Sequence, residues 1–499
     1  MALKNGQKRT GRLEWVFVGL IFFTVFMIIP LPGIKYPARV VFSTTMLMGI
    51  WWVSEAIPIS ATALVPLVMF PLLGVSSAKE AAIPYANHNI FLFMGGFFIA
   101  KAMERHLLHK RIALRIMTYV GTAKRRIILG FMVATAFLSM WISNTASTMI
   151  MLPIAMAVMH KMDAEGKPFA TALFLGIAYS ASVGGVGTLV GTPPNIVLTG
   201  QMHSMFPKGP QFTFASWLPV GLSVTVLMIP IIWIYLTFFA FKMKEGKRVS
   251  RDFLRNELAA MGKMSYNEWV VFFVFLLVAL GWIFRKNLNL GFVQIPGWSN
   301  LLGNAKTVQD STVAMLGALL LFLIPAGKGG RILEWKTAVQ IPWGIVLLFG
   351  GGFSIAAAFN TSGLAGWVGE TLKSLGGMNP IMLILVICAV MTFLTEITSN
   401  TATASLMLPL LGSVALGLNH DPRLLMVPAT MADSCAFMLP VGTPPNAIVF
   451  GSGQIKIRDM VKTGVVINLL GIAIVFLVVY FIAIPLLGIN LQEAPLWTR

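Results

Sequence analysis

The chain has 499 residues, 57% hydrophobic and 11% charged, with a formal net charge of +19 at pH 7. Apolar runs such as 269–283 and 465–487 approach or exceed the roughly 20 residues that cross a hydrocarbon core, so the class is a polytopic membrane protein and not a string of soluble domains. Basic residues fall between apolar runs, which argues against nucleic acid as a partner, and Cys388 and Cys435 both lie in apolar stretches, which argues against a disulfide framework.

The polar, basic segment 1–12 precedes an apolar run with no small-residue cleavage site before the next hydrophobic stretch, and that run is taken as a retained first span. Eleven transmembrane helices are expected, near 15–33, 38–58, 59–75, 89–104, 168–199, 217–241, 268–284, 312–325, 341–359, 422–452 and 463–487. Two further apolar stretches, 127–160 and 381–416, carry Ser-Asn-Thr at their midpoints (Ser143-Asn144-Thr145 and Ser399-Asn400-Thr401). Ordinary spans would bury these polar groups in mid-helix, so both are expected to be re-entrant hairpins. With the amino terminus cytoplasmic, this topology puts 27 of the 37 Lys and Arg residues inside, as the positive-inside rule requires. The carboxy terminus then lies outside, in a multi-pass protein of the inner (plasma) membrane. Residues 102–119 read as an amphipathic helix in the cytoplasmic interface, with 364–375 as its counterpart at the outer face. Residues 251–264 read as a solvated basic loop.

The motifs are doubled. Ser-Asn-Thr recurs after 256 residues, and Gly191-Thr192-Pro193-Pro194-Asn195 recurs after 251 as Gly442-Thr443-Pro444-Pro445-Asn446. Met151-Leu152-Pro153 with Met407-Leu408-Pro409, and Gly96-Phe97 with Gly352-Phe353, keep the same register. The expected architecture is an all-α inverted repeat: residues 1–37 as terminus and first span, 38–267 as one repeat and 268–499 as the other, with interrupted helices at the midplane. Inverted repeats around a midplane site are a transporter arrangement.

The chemistry follows from the broken helices. Proline lacks an amide hydrogen and its ring blocks the preceding turn, so Pro193-Pro194 cannot lie inside a continuous helix. Interrupted backbone survives at membrane depth only in a protein interior or along a cavity. One half-helix end offers carbonyls to a cation and the other offers positive charge to an anion. The Ser, Asn and Thr tips add groups that both donate and accept. Ser139 and Thr395, one turn before the tips, can add an oxygen each. Neither motif contains Lys or Arg, so co-bound sodium ions can supply the charge that a dianion needs, which couples the two. Glu55 and Glu104 are expected near an interface or salt-bridged. Glu396 and Asp433 remain candidate proton or cation sites, with a structural role as the alternative. The runs Gly95-Gly96 and Gly350–Gly352 read as helix packing.

At these residues the chain resembles the divalent-anion:sodium symporter family, which includes sodium-coupled dicarboxylate and citrate carriers. The resemblance rests on both Ser-Asn-Thr motifs, both Thr-Pro pairs, Trp335-Lys336-Thr337 through Gly352, and Phe437-Met438-Leu439-Pro440 to Phe450. It implies no enzymatic activity, no cofactor beyond co-transported sodium ions, and a homodimer whose transport domain moves against a scaffold like an elevator. It also implies one sodium site from Ser139, Ser143, Asn144 and Gly191, and a second from Thr395, Asn400 and Gly442. Substrate carboxylates would meet Asn144, Thr145, Thr192, Pro193, Asn400, Thr401, Thr443 and Pro444. The expected cargo is a C4-type dicarboxylate such as succinate, malate or fumarate. The alternatives are sodium-independent dicarboxylate exchange, or symport of citrate or sulfate.

Overall fold

The computed structural model describes residues 3–121, 123–161, 167–243, 251–289, 294–302, 307–327, 329–372 and 379–498. Helix α1 (Leu3–Ile28) lies along α2 (Tyr36–Ser54), tied by Trp51 Nε1 donating to Val16 O at 3.3 Å. The expected span 59–75 is divided into α3 (Ile59–Thr62) and α4 (Val65–Leu72), because Pro66 withholds the amide that would continue the first turn. A capping box of Ser77 and Glu80 starts the short α5 (Ala78–Ala82).

Helix α6 (His88–Arg105) ends at a corner, and α7 (Leu108–Val120) starts anew. Leu107 there has φ 57, a left-handed conformation in which a helix of L-residues cannot continue. The amphipathic helix expected at 102–119 is therefore the last turn of one helix and the whole of the next. Arg111 clamps α7: it pairs with Glu268 at 2.6 Å, both buried, and donates to the carbonyls of Gly262 and Met261.

The Ser-Asn-Thr segments are helix pairs with a short break. Helix α8 (Lys124–Ser139) is followed by α9 (Asn144–Lys161), and α10 (Lys167–Val186) by α11 (Pro193–Met205), the second break falling at the Thr-Pro-Pro. Helix α10 is enclosed from Phe169 to Val186, packed by α8, α9 and α12 (Phe214–Ile234). Gly184 permits the approach of α8, since a β-carbon there would stand 2.3 Å from Ala136 O.

Residues 251–264 are not a solvated loop. They form α13 (Arg251–Ala260), which packs on α7. Leu254 is buried and Leu258 and Met261 are partly buried at helical spacing, while Arg255 is exposed. The basic segment 244–250 beside it lies outside the described residues.

Helix α14 (Tyr266–Ile283) leads to a two-stranded ribbon pairing Leu288–Asn289 with Gln294–Ile295. Then follow α15 (Asp310–Leu323), α16 (Trp335–Ala338), α17 (Trp343–Thr361) and α18 (Leu364–Leu372). The outer helix was expected to reach 375, and its final residues lie outside the described ones. Trp367, which stands 256 residues after Arg111, anchors α18 by donating to Pro32 O at 2.9 Å. The second broken pairs are α19 (Pro380–Leu394) with α20 (Asn400–Gly417), and α21 (Arg423–Ala432) with α22 (Pro444–Gly451). Helix α23 (Ile457–Val478) continues through a π-helical turn into α24 (Ile484–Leu487).

Six described helical runs are long and apolar enough to cross a membrane: 168–186, 214–240, 266–283, 343–361, 400–417 and 457–487. Others of the eleven expected spans are shorter or broken, and the 400–417 limb, expected as half of a hairpin, is among the six. The glycine runs pack helices, as expected: a β-carbon on Gly95 would stand 2.7 Å from Ala314, and one on Gly351 2.5 Å from Ala63 O.

Candidate functional site

Four helices begin at one place. The starts of α9, α11, α20 and α22 (Asn144, Pro193, Asn400 and Pro444) all line a cavity of about 1010 Å³. Each helix start carries roughly half a positive charge. Among the described residues no Lys or Arg lines the cavity, and Glu55 is the one charged wall residue. The two pairs of helices differ in what they offer. Helices α11 and α22 begin with Pro-Pro and present no amide hydrogen at those positions, whereas α9 and α20 begin with the amide and hydroxyl groups of Asn144, Thr145, Asn400 and Thr401.

Behind these starts are helix ends. Helix α8 stops at Ser139 and α19 at Leu394, with Thr395 as its cap. Ser139 Oγ is fully buried and lies 2.6 Å from Asn144 Oδ1 and 2.7 Å from Ala181 O. Its single proton cannot serve both acceptors fully, so oxygen lone pairs are concentrated there. A β-carbon on Gly191 would stand 2.5 Å from Gly185 O and 3.0 Å from Ser139 O, which places two carbonyls against that glycine. Thr395 Oγ1 likewise donates to Asn400 Oδ1, at 2.9 Å. These oxygens, neutral and hard, suit an alkali cation. Among the described residues no cluster of three or more His, Cys, Asp or Glu could hold a metal.

The structure thus brings together Ser139, Asn144 and Gly191 on one side, and Thr395 with Asn400 on the other. Gly442 stands against Glu396, whose Oε2 would lie 3.0 Å from a β-carbon there. Ser143 lines the cavity, but its hydroxyl caps α9 by accepting from Ala146 N at 3.2 Å. Thr192, Thr443 and Thr401 are also on the wall, and all three are buried.

The roles of two site residues escaped the sequence reading. Asn195 Nδ2 donates to Thr188 O at 2.7 Å and Gly185 O at 3.3 Å, and Asn446 Nδ2 donates to Leu439 O and Ala436 O, both at 3.0 Å. Each asparagine clips the break ahead of its own helix, and their place in the repeated motif was the available signal. Glu396 was left open, and it is an anchor: Oε1 accepts from Phe437 N, Met438 N and Asn468 Nδ2 at 2.7–2.8 Å, and Oε2 from Leu439 N at 3.0 Å. Glu104 pairs with Lys101 at 2.6 Å, as expected.

A second cavity of about 570 Å³ shares Phe97, Ser143, Thr145, Pro342 and Ile345 with the first and continues to Lys101, Glu104 and His109. The repeats differ in how tightly they close. The Phe353 ring occupies the place of a β-carbon at Gly200, whereas Gly451, which stands 251 residues later, has open space at that position. Phe97, the counterpart of Phe353, lines the cavity instead.

The family model described as the transmembrane region of sodium:sulfate symporters matches residues 12–489. A sodium-dependent dicarboxylate transporter, SdcS, of Staphylococcus saprophyticus is 44% identical over 505 residues, covering 98% of this chain and 95% of that protein. Its namesake in Staphylococcus aureus strain MRSA252 is 42% identical, covering 97% and 94%. Among solved structures, Neisseria gonorrhoeae MtrF, described as illuminating a class of efflux pumps, superposes with TM-score 0.60 at 12% identity over 93% of this chain and 98% of its own. The Alcanivorax borkumensis YdaH transporter does so with TM-score 0.54 at 13% identity over 90% and 99%. Such low identities show a shared fold alone, whereas the curated relatives are named as transporters and not as enzymes. The chain belongs to the sodium:sulfate symporter family, membrane transporters with sodium as the co-transported ion.

Proposed function

We propose that the protein imports C4-type dicarboxylates coupled to sodium, by an elevator-type alternating-access mechanism. The observation that carries this reading is the cavity ringed by four helix starts, with no Lys or Arg among its described wall residues. Helix starts and amide or hydroxyl donors attract two carboxylates without holding them permanently. The oxygen clusters behind, at Ser139, Asn144 and Gly191 and at Thr395, Asn400 and Gly442, then take sodium ions whose charge completes the site. The SdcS relatives, named as sodium-dependent dicarboxylate transporters, support the substrate class.

In this reading 127–160 and 381–416 are re-entrant hairpins, and 38–267 and 268–499 are inverted repeats. The equivalent bonds of Ser139–Asn144 with Thr395–Asn400, and of Asn195 with Asn446, support the repeat. With the basic loops cytoplasmic, Lys101 and His109 lie on that side, and a second cavity that shares wall residues with the first supports an inward-facing state. Helices α7 and α18 are the arms joining a moving unit to a fixed one, anchored by Arg111 and Trp367. The amino terminus is cytoplasmic and the carboxy terminus outside. The family resemblance supports a homodimer.

Labelled succinate uptake into proteoliposomes, with an inward sodium gradient and no internal substrate, tests the reading. Sodium-dependent accumulation, competed by malate and fumarate more strongly than by citrate or sulfate, is the expected result. Uptake seen only after internal dicarboxylate loading, and indifferent to sodium, would identify an exchanger instead.

A further inference from the structure

We propose that Asp433 supplies a carboxylate ligand to the second cation site, giving that site a negative charge that the first lacks. The inference rests on the reading of Thr395 and Asn400 as a sodium site. Asp433 caps the carboxyl end of α21 and is fully buried. Neither of its oxygens has a hydrogen-bond partner. The Thr395 hydroxyl adjoins the carboxyl group, but its one proton goes to Asn400 Oδ1 at 2.9 Å. Of the ion pairs among the described residues, none includes Asp433.

This placement is unfavourable on every count without a cation. A buried carboxylate without donors is costly. The end of α21 adds negative potential, and Thr395 caps the end of α19, which adds more. Glu396 shows the contrast: it is also buried, but three backbone amides and Asn468 satisfy it, so it needs no ion. A cation beside Thr395 meets the missing partner of Asp433 and the oxygens of Thr395 and Asn400 together.

The repeat shows that this charge belongs to one half. The 251-residue offset of the Gly-Thr-Pro-Pro-Asn motifs sets Asp433 against Ser182. Ser182 is equally buried and its hydroxyl equally unpartnered, but it is neutral. Beside Glu396, which the backbone amides already satisfy, the second cluster therefore holds a carboxylate where the first has a neutral hydroxyl. The second site should bind sodium more tightly, and should fill without a dicarboxylate present.

The test uses the purified full chain in detergent and in proteoliposomes, with choline chloride holding ionic strength constant. Sodium chloride without dicarboxylate should raise the melting temperature of the wild type. Asp433→Asn should need at least tenfold more sodium for half of that rise and for half-maximal succinate uptake, with the succinate KM at saturating sodium within twofold of wild type. A folded Asp433→Asn whose sodium requirement stays within twofold of wild type overturns the proposal and leaves sodium-coupled transport standing. Should that variant not fold, Asp433→Glu keeps the charge and moves it by one methylene. A change of threefold or more in its preference for sodium over lithium supports ligation, and an unchanged preference overturns it. A wild type indifferent to sodium in both assays removes the second sodium site, and the proposed function with it.

Discussion

Ser139 Oγ donates to Asn144 Oδ1 at 2.6 Å, across the break between α8 and α9, and Thr395 repeats the bond to Asn400 across the break between α19 and α20. In each case a hydroxyl at one helix end reaches the amide oxygen at the next helix start. The bond engages the amide oxygen and leaves the Nδ2 hydrogens of Asn144 and Asn400 as donors. In the proposed reading one asparagine would serve both the cation and the dicarboxylate, a local route to coupling.

Asn144→Ala and Asn400→Ala should therefore each lower sodium-driven succinate uptake by at least tenfold, with melting temperatures close to wild type. The check is uptake in proteoliposomes beside thermal unfolding of the same preparations. Normal uptake by both folded variants would remove these residues from the site.

Glu396→Ala should act on folding first. It leaves three backbone amides and the Asn468 amide without their acceptor, and each buried unsatisfied donor costs about 1–3 kcal/mol. A loss of at least about 3 kcal/mol is expected, read as a lower melting temperature in detergent. A variant melting with the wild type would show that the 437–439 turn holds without the carboxylate.

The two repeat-related glycines give a paired prediction. At Gly200 an added β-carbon would fall on the Phe353 ring at 1.9 Å, whereas at Gly451 it meets nothing within 4 Å. Overpacking of this kind costs about 1–3 kcal/mol. Gly200→Ala should destabilise by that amount and Gly451→Ala by little, compared by thermal unfolding. Equal effects would contradict the asymmetric closure of the repeats.

Arg111→Ala should strip α7 of its clamp. It leaves the buried Glu268 carboxylate without its partner, a loss of about 3–5 kcal/mol for a broken buried pair. Arg111→Lys should recover only part, because an ammonium cannot reproduce the forked donation to Glu268 and two carbonyls. Proteolysis of the 251–264 region, faster in both variants, is the measurement.

His109, on α7, predicts a pH dependence. Burial lowers its pKa, opposed by its contact with Met103 O and by the Glu104 charge. The unfolded chain therefore takes up a proton at a higher pH than the folded one. Stability from the neutral ring is fully present above the ordinary histidine value of roughly 6.5 and is lost as pH falls below it. Melting temperature should drop between pH 7.5 and 5.5, and His109→Gln should flatten that drop. An identical pH profile in the variant would assign it to other groups.

The sequence by itself determined the membrane class, the doubled motifs and the places where helices break, because Pro-Pro and Ser-Asn-Thr act on the one or two turns around them. It also singled out Ser139, Asn144, Thr395 and Asn400, whose bonds span only five residues. Relationships over longer separations were decided by the tertiary structure. Glu396 meets the amides 41–43 residues onward only because α19 and α21 pack together. The amphipathic pattern of 251–264 fits either a solvated segment or a buried helix, and α7 supplies the apolar surface that selects the helix. Phe97 and Phe353 hold equivalent places in the repeat, yet one lines the cavity and the other fills the space at Gly200. Local chemistry sets where a chain can bend. Which of two equivalent side chains is packed and which is open depends on the relative position of whole helices, and sequence symmetry does not encode that difference.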